Sequence, residues 1–226
     1  AITELPGQHI KGVYSIVCNV DPQALPFKDT LSQELVYRVI FNQIFDNREY
    51  FSDYAFPQTI FGARLDASLV FRLDSINRFE TGFNYLFEHG SEVFDLQPQL
   101  TLYYAYRGEQ LDMAFGSFPR KDRITMPGAF LHDTLIYYRG NVEGAYGSLK
   151  GETGDVYAFI DWTGRVSDER RESFLAGLEG KMDIGPVYFQ PSFLMYHNAR
   201  SYSPADSIPL QDNGIYSALL GFQWER

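Results

Sequence analysis

Apolar and polar residues alternate along this chain with a period of two, in segments of about ten residues. The stretch "RLDASLVFRL", residues 64–73, shows the pattern, with Leu65, Leu69 and Phe71 at odd positions and Asp66 at an even position. A period of two puts alternate side chains on opposite faces of a β-strand. The chain is therefore predicted to consist of strands that each have one apolar and one polar face.

Ten such strands are predicted along the sequence. They lie near residues 35–46, 60–74, 78–88, 94–107, 109–118, 134–149, 154–165, 172–183, 186–197 and 214–225. Helical patterns are nearly absent, and no apolar run approaches the ~20 residues that a transmembrane helix needs. If the chain spans a membrane, it must do so as a barrel, because a closed sheet leaves no backbone group unpaired in lipid.

The connections between the predicted strands alternate in length. The short ones, such as "DSIN" from 74 and "DIGP" from 183, are rich in the Gly, Asp and Asn that tight turns require. Longer ones, such as "DNREYFSDYAFPQ" from 46 and "NARSYSPADSIPLQDNG" from 198, come between them. Outer-membrane barrels have short turns at the periplasmic end and long loops outside.

The predicted fold class is therefore all-β, an antiparallel up-and-down transmembrane β-barrel. About ten strands are visible, and they form either the whole barrel or part of a larger one. Residues 1–34 are predicted to be an N-terminal periplasmic segment, and residues 35–226 the barrel domain. The last strand lacks the terminal aromatic residue that many such barrels have, so the chain is expected to be incomplete.

The two faces of the predicted strands carry different candidate residues. The apolar face is predicted to contact lipid through Leu65, Leu69, Phe71, Phe83, Leu100, Leu102 and Phe222. The other face has too many ionisable groups for a dry core, and it is predicted to line a hydrated lumen with Arg64, Asp66, Arg72, Glu80, Asp95, Arg107, Asp112, Glu179 and Lys181. In a soluble protein the same ionisable residues would form the outer surface, so the alternating loop lengths carry the membrane interpretation.

Charge and cysteine content exclude several classes of function. The formal net charge of -10 repels nucleic-acid phosphates, so no nucleic-acid partner is expected. The single cysteine, Cys18, can form neither a disulfide nor a thiolate metal site within the chain. We expect no metal site and no cofactor.

No common nucleotide, zinc or hydrolase motif occurs in the sequence. The four histidines, His9, His89, His132 and His197, are far apart, although the last three fall near long-loop ends of strands. His132 with Asp133 is similar to the His and Asp pairs of outer-membrane barrel proteases, but adjacent loop residues usually point in different directions. No catalytic residue is therefore predicted, and the chain is expected not to be an enzyme.

One basic stretch lies at the predicted mouth of the barrel. "GSFPRKDR", residues 116–123, contains Arg120, Lys121 and Arg123. These cations would attract anionic solutes electrostatically.

Several stretches resemble a poorly characterised family of porin-like outer-membrane barrels from Gram-negative bacteria. They are "FDNREYFSDYAFPQTIFGARL", "AFGSFPRKDR", "DTLIYYRGNVEGAYG" and "AFIDWTGRVSDERRESF", within residues 45–200. Residues 115–147 are also similar to phosphate-selective porins. The resemblance, which is to the N-terminal part of longer chains, implies a barrel in the outer membrane and no active-site residues.

The predicted function is therefore a porin-like barrel in the outer membrane of a Gram-negative bacterium. The barrel would either let small solutes pass or act at the cell surface through its loops. The second role is included because ten strands alone leave little room for a channel. Outer-membrane lipid and small solutes are the expected partners, with a protein partner or a second copy also open. Two alternatives remain: a soluble β-barrel or sandwich that binds carbohydrate or lipid, and an outer-membrane barrel hydrolase.

Overall fold

The computed structural model describes residues 34–48, 58–121, 123–131, 133–167, 170–200 and 209–223. The predicted periplasmic segment, residues 1–34, lies outside the described residues except for its last position. The division of the chain into that segment and a barrel domain therefore stays a prediction.

The described residues form ten β-strands and one short helix. In chain order they are β1 (Glu34–Arg48), β2 (Gln58–Arg72), β3 (Asn77–Glu88), β4 (Gln99–Arg107), β5 (Leu111–Pro119), α1 (Asp133–Tyr138), β6 (Asn141–Gly151), β7 (Gly154–Gly164), β8 (Ser173–Ile184), β9 (Val187–Asn198) and β10 (Gln211–Phe222). All ten strands belong to one sheet in the order β1 to β10, with antiparallel pairing. The predicted all-β, up-and-down fold is confirmed, and its closure into a barrel stays a prediction.

Three predicted strands begin three or more residues away from the start that the structure shows. The predicted strand 134–149 begins as helix α1, because a helix of six residues is too short to leave a clear 3.6-residue pattern. β4 begins at Gln99 and not at 94, directly after Pro98, which lacks the N–H that a strand ladder needs. The candidate lumen residue Asp95 therefore lies exposed in the connection between β3 and β4, outside any strand. β10 begins at Gln211, three residues before the predicted start.

The chain divides into two compact units. The first unit contains residues up to 75 and 79–101, and in it β1 pairs with β2 over its whole length. Because successive side chains of a strand alternate in direction, Arg38 and Ser68 share one face of this pair, and Tyr37 and Leu69 share the other. Arg38 and Ser68 are buried, and we call their side the inner face of the first unit. Tyr37 and Leu69 are exposed on its outer face.

The second unit contains residues 76–78 and the chain from 102 onward. One face of its strands is covered by the connection between β5 and β6, and we call this side the inner face of the second unit. The buried apolar cluster between the strands and the connection contains Tyr103, Ala105, Ala114, Phe118, Ile124, Met126, Leu131, Val142, Tyr146, Tyr157, Phe159, Leu175 and Leu194. The connection is thus part of the core of this unit.

The connection between β8 and β9 has the tight-turn geometry that its sequence indicates. Only Gly185 and Pro186 separate the two strands, and Gly185 has a φ of 61°, a left-handed conformation that glycine adopts without steric cost. No helix in the described ranges is long and apolar enough to cross a membrane.

Candidate functional site

The predicted lumen residues differ widely in exposure. Arg64, Glu80 and Glu179 are buried, Asp66, Arg72, Arg107, Asp112 and Lys181 are half-buried, and Asp95 is exposed. Several of them form ion pairs: Arg107 with Asp112 at 3.1 Å, Lys181 with Asp183 at 3.5 Å and Glu80 with Arg38 at 2.5 Å. Their position in a hydrated lumen stays a prediction.

The predicted lipid-facing residues lie on strands, and most of them are exposed. Leu69, Phe71, Phe83, Leu100, Leu102 and Phe222 expose 40% or more of their surface, whereas Leu65 is half-buried. Exposed apolar surfaces of this extent are unusual on soluble monomers and mark contact with lipid or protein. Contact of these residues with lipid stays a prediction.

A buried ionic network occupies the inner face of the first unit. Arg38 Nη2 donates to Glu80 Oε1 at 2.5 Å, and Ser68 Oγ donates to the same oxygen at 2.6 Å. Arg38 Nε also donates to Ser68 Oγ at 3.2 Å. Because Arg38 neutralises the Glu80 carboxylate, this network suits a structural role better than general-base chemistry.

The prediction of a basic mouth at residues 116–123 is wrong for its two arginines. Arg120 is 1% exposed and Arg123 is 4% exposed, whereas Lys121 is exposed. Arg120 is held by Asp161 and by two backbone carbonyls. The guanidinium of Arg123 lies 5.4 to 5.8 Å from the ring centroids of Tyr103, Phe118 and Tyr146, within cation–π range. Both cations therefore fix the β5–β6 connection onto the inner face of the second unit.

A histidine and an aspartate meet on the opposite, outer face of this unit. His197, near the end of β9, stands directly across from Asp212, near the start of β10. His197 Nδ1 lies 2.6 Å from Asp212 Oδ1. An ionised carboxylate can only accept a hydrogen bond, so Nδ1 donates the proton and Nε2 is left as the acceptor nitrogen. The side chains are partly accessible, at 21% exposure for His197 and 48% for Asp212.

Aromatic rings flank this histidine along the long-loop ends of the neighbouring strands. Phe174 of β8 stacks on the His197 imidazole with a centroid separation of 4.6 Å. Trp162 of β7 packs against Phe174 at 5.4 Å, and its indole N–H donates to Glu172 Oε1. The imidazole is thus oriented by stacking on one side and by a carboxylate on the other.

Arg171 holds the connections beside this pair. Its guanidinium donates to the backbone oxygens of Ala199 and Pro209 and to Gln211 Oε1, each at 3.3 to 3.4 Å. Ala199 follows β9 and Gln211 begins β10, so these bonds fix the two strand ends that carry His197 and Asp212.

The other histidines do not form such a pair within the described residues. His89 contacts Gln43 and the rings of Phe61 and Phe87 in the first unit. His9 and His132 lie outside the described residues, so the structure does not test the similarity of His132 and Asp133 to a protease pair. No group of three or more His, Cys, Asp or Glu side chains in the described part of the chain could hold a metal ion.

A histidine whose Nδ1 is bound to a carboxylate is the base component of many hydrolytic sites. The carboxylate fixes the tautomer and stabilises the imidazolium that forms when Nε2 takes a proton.

Sequence reasoning missed this pair because it assigned Asp212 to a loop. The antiparallel pairing that brings Asp212 beside His197 spans a long connection, and its register cannot be derived from strand pattern alone.

Comparison with known families gives a match over most of the chain. A family model described as lipid A 3′-O-deacylase-type matches residues 26–226. A search of the curated proteins finds none that matches the chain. The expectation that the chain is not an enzyme is therefore wrong, because the matching family is of an enzyme type. The resemblance to porin-like barrels is confirmed only as far as an outer-membrane type of family, and neither a porin nor a transport function is supported.

Proposed function

The chain belongs to the lipid A 3′-O-deacylase-type family, and on this premise we propose that it is an outer-membrane hydrolase. Its substrate is an acyl ester of a glycolipid in the outer leaflet, and the products are a free fatty acid and a sugar hydroxyl. His197 acts as the general base, and Asp212 orients it.

The observation that carries this proposal is the 2.6 Å contact between His197 Nδ1 and Asp212 Oδ1 on the outer face of the second unit. Of the histidines in the described residues, His197 is the one in contact with a carboxylate. Its position on the outer face gives a lipid substrate access from the bilayer without entry into the protein interior.

The depth of the pair supports an ester substrate. His197 lies ten residues beyond Val187, the first residue of β9. At about 3.4 Å per residue and a strand tilt of roughly 40°, this corresponds to about 26 Å along the membrane normal. The apolar band of outer-membrane barrels is about 25 Å tall. The pair would therefore lie at the outer-leaflet boundary, where acyl esters lie and where an exposed carboxylate such as Asp212 costs little.

The nearby aromatic residues agree with that depth. Trp and Tyr rings are enriched at membrane interfaces, and Trp162 is 40% exposed on the same face with its N–H bound to Glu172. Phe174 presents an apolar ring beside the imidazole. The substrate ester would thus meet His197 between the acyl region and the polar sugar.

The chemistry follows from the orientation of the imidazole. His197 Nε2 accepts a proton from a water molecule as the water oxygen bonds to the ester carbonyl carbon. Asp212 stabilises the resulting imidazolium through Nδ1–H. When the tetrahedral intermediate breaks down, the C–O bond to the sugar cleaves, and the imidazolium returns the proton to the leaving sugar oxygen. The fatty acid leaves with the carbonyl carbon and the water oxygen.

The test is hydrolysis of purified lipid A in mixed detergent micelles by the refolded protein. Loss of one acyl chain is followed by mass spectrometry of lipid A and of the released fatty acid. The wild type is expected to release the acid, and His197→Ala is expected to lose about 10²- to 10⁴-fold in rate, the usual contribution of a general base. Asp212→Asn is expected to lose activity as well, because an amide no longer fixes the Nδ1–H tautomer.

His89→Ala is the matched control, since His89 is also at a long-loop end but contacts Gln43 and phenyl rings in place of a carboxylate. It should retain full activity. His132→Ala tests the rival histidine. If His197→Ala is fully active and His132→Ala loses activity, the assignment of His197 as the base is wrong. If the wild type releases no fatty acid, the proposal that the protein is a hydrolase is wrong.

A further inference from the structure

A pocket of about 510 Å³ opens on the inner face of the second unit, the face opposite His197. Its described lining residues come from helix α1 with its flanking residues and from β7, β8 and β9: Phe130, Leu131, Leu135, Tyr138, Arg139, Thr163, Ser173, Leu175 and Tyr196. This volume is in the range of sites that bind one small ligand. The pocket has no part in the chemistry proposed for the outer face.

Most of the pocket wall is apolar. Phe130, Leu131 and Leu135 line it from the side of the connection, and Leu175 lines it from β8. Such a wall gains free energy when a hydrocarbon chain displaces water from it. A purely polar solute would gain nothing from these side chains.

One part of the wall is polar and carries a positive charge. Thr163 Oγ1 and Ser173 Oγ lie 2.8 Å apart, and Arg139 is the one charged side chain among the described lining residues. The guanidinium of Arg139 donates to the backbone oxygens of Thr163 and Trp162 at 2.8 and 2.9 Å. These two bonds use two of its five N–H groups, so donors remain for a ligand.

The charge of Arg139 is not fully neutralised by its neighbours. Among the described side chains, the carboxylate of Asp161 lies 3.9 Å from Arg139 Nη2, and the same carboxylate is bound by Arg120. Within the described residues, two guanidinium groups therefore share this one carboxylate, and the three side chains together carry one net positive charge. An anionic ligand group would lower the electrostatic free energy of this uncompensated positive charge.

We infer that this pocket binds a single-chain fatty acid, with the hydrocarbon chain against the leucines and Phe130 and the carboxylate at Arg139 and the Thr163–Ser173 hydroxyls. The inference rests on the proposed function only for the source of the ligand, because ester cleavage on the outer face would release such an acid into the same membrane.

The test uses the full chain in phospholipid nanodiscs and radiolabelled tetradecanoic acid, with binding to empty nanodiscs subtracted. Saturable binding is expected, at least tenfold tighter than that of tetradecanol, which has the same chain and no charge. Arg139→Gln should remove this preference for the acid. Leu135→Trp, which fills the pocket, should abolish saturable binding of both compounds.

Leu178→Trp is the matched control, because Leu178 lies on β8 with its side chain exposed on the outer face. It should bind like the wild type. Equal affinity for acid and alcohol in the wild type, or undiminished binding by Leu135→Trp, would overturn the inference. If the protein binds the fatty acid but does not hydrolyse lipid A, the proposed function is refuted and the inferred binding site stands. If it hydrolyses lipid A but does not bind the fatty acid, only the inferred binding site is refuted.

Discussion

Asp161 connects several elements on the inner face of the second unit. It has no exposed surface, its Oδ2 accepts from Arg120, and its Oδ1 accepts from the backbone N–H of Glu143 at 2.9 Å. Arg139 approaches the same carboxylate at 3.9 Å. The residue therefore joins β7 to β6 and to both ends of the β5–β6 connection.

Replacing Asp161 by Asn should destabilise the fold strongly. The amide keeps the shape but removes the charge, and the buried Arg120 guanidinium is then left without its counterion, which costs about 3–5 kcal/mol in comparable buried pairs. The measurement is urea unfolding of the refolded protein in detergent. Asp183→Asn, at a carboxylate that is 47% exposed, is the control and should change the free energy of unfolding by less than about 1 kcal/mol. Equal effects of the two substitutions would contradict the structural role of Asp161.

Single residues were the hardest part of this molecule to predict from sequence. Arg120 and Arg123 were assigned to an exposed mouth, yet aromatic rings and Asp161 bury them. Partners of this kind come from strands far along the chain, and no local pattern records them. The contact between His197 and Asp212 was not predicted from the sequence for the same reason.

The strands themselves were predictable, because each one has an apolar side and short turns separate many of them. Eight of the ten strands, all except β4 and β6, begin and end within three residues of the predicted bounds. The exceptions are local. Helix α1 is too short for its period to show, and Pro98 stops the pairing that alternation alone would continue into residues 94–98.

Gly116 is the position where close strand contact constrains β5. Its φ is 117°, and an added Cβ would lie 2.2 Å from the backbone oxygen of Leu102 on β4. Gly116→Ala is therefore expected to cost about 1–3 kcal/mol for the backbone conformation alone, and more for the displacement of β4. The check is the urea midpoint in detergent.

Gly147→Ala is the matched control for this change. Gly147 lies on β6, and its added Cβ would meet nothing within 4 Å. This variant should be as stable as the wild type or slightly more so, since alanine has less conformational freedom in the unfolded chain. A Gly116→Ala variant as stable as Gly147→Ala would show that β4 and β5 pair differently from the register described above.

At the scale of the whole molecule, the main question is what covers the exposed apolar side chains. In the first unit Tyr37, Leu69 and Phe71 are 40% or more exposed, and in the second unit Leu178, Tyr216 and Leu220 are as well. Both units thus present apolar residues to the surroundings, as the alternation in the sequence predicts. The sequence predicts lipid as the cover from the alternating loop lengths, and the family match also favours a membrane.

If lipid covers these side chains, the purified chain should fold in detergent and not in water. Folding is read as a gel band whose mobility changes on boiling. Leu69→Arg should reduce folding into detergent or lipid, because a cation on the lipid face is unfavourable, by up to about 2–4 kcal/mol at the bilayer midplane. Asp66→Asn, three residues earlier on the opposite face of β2, should leave folding intact. If both variants fold as well as the wild type, and the chain folds in water alone, then the apolar face contacts a protein partner and not lipid. In that case His197 could not reach an ester in the outer leaflet.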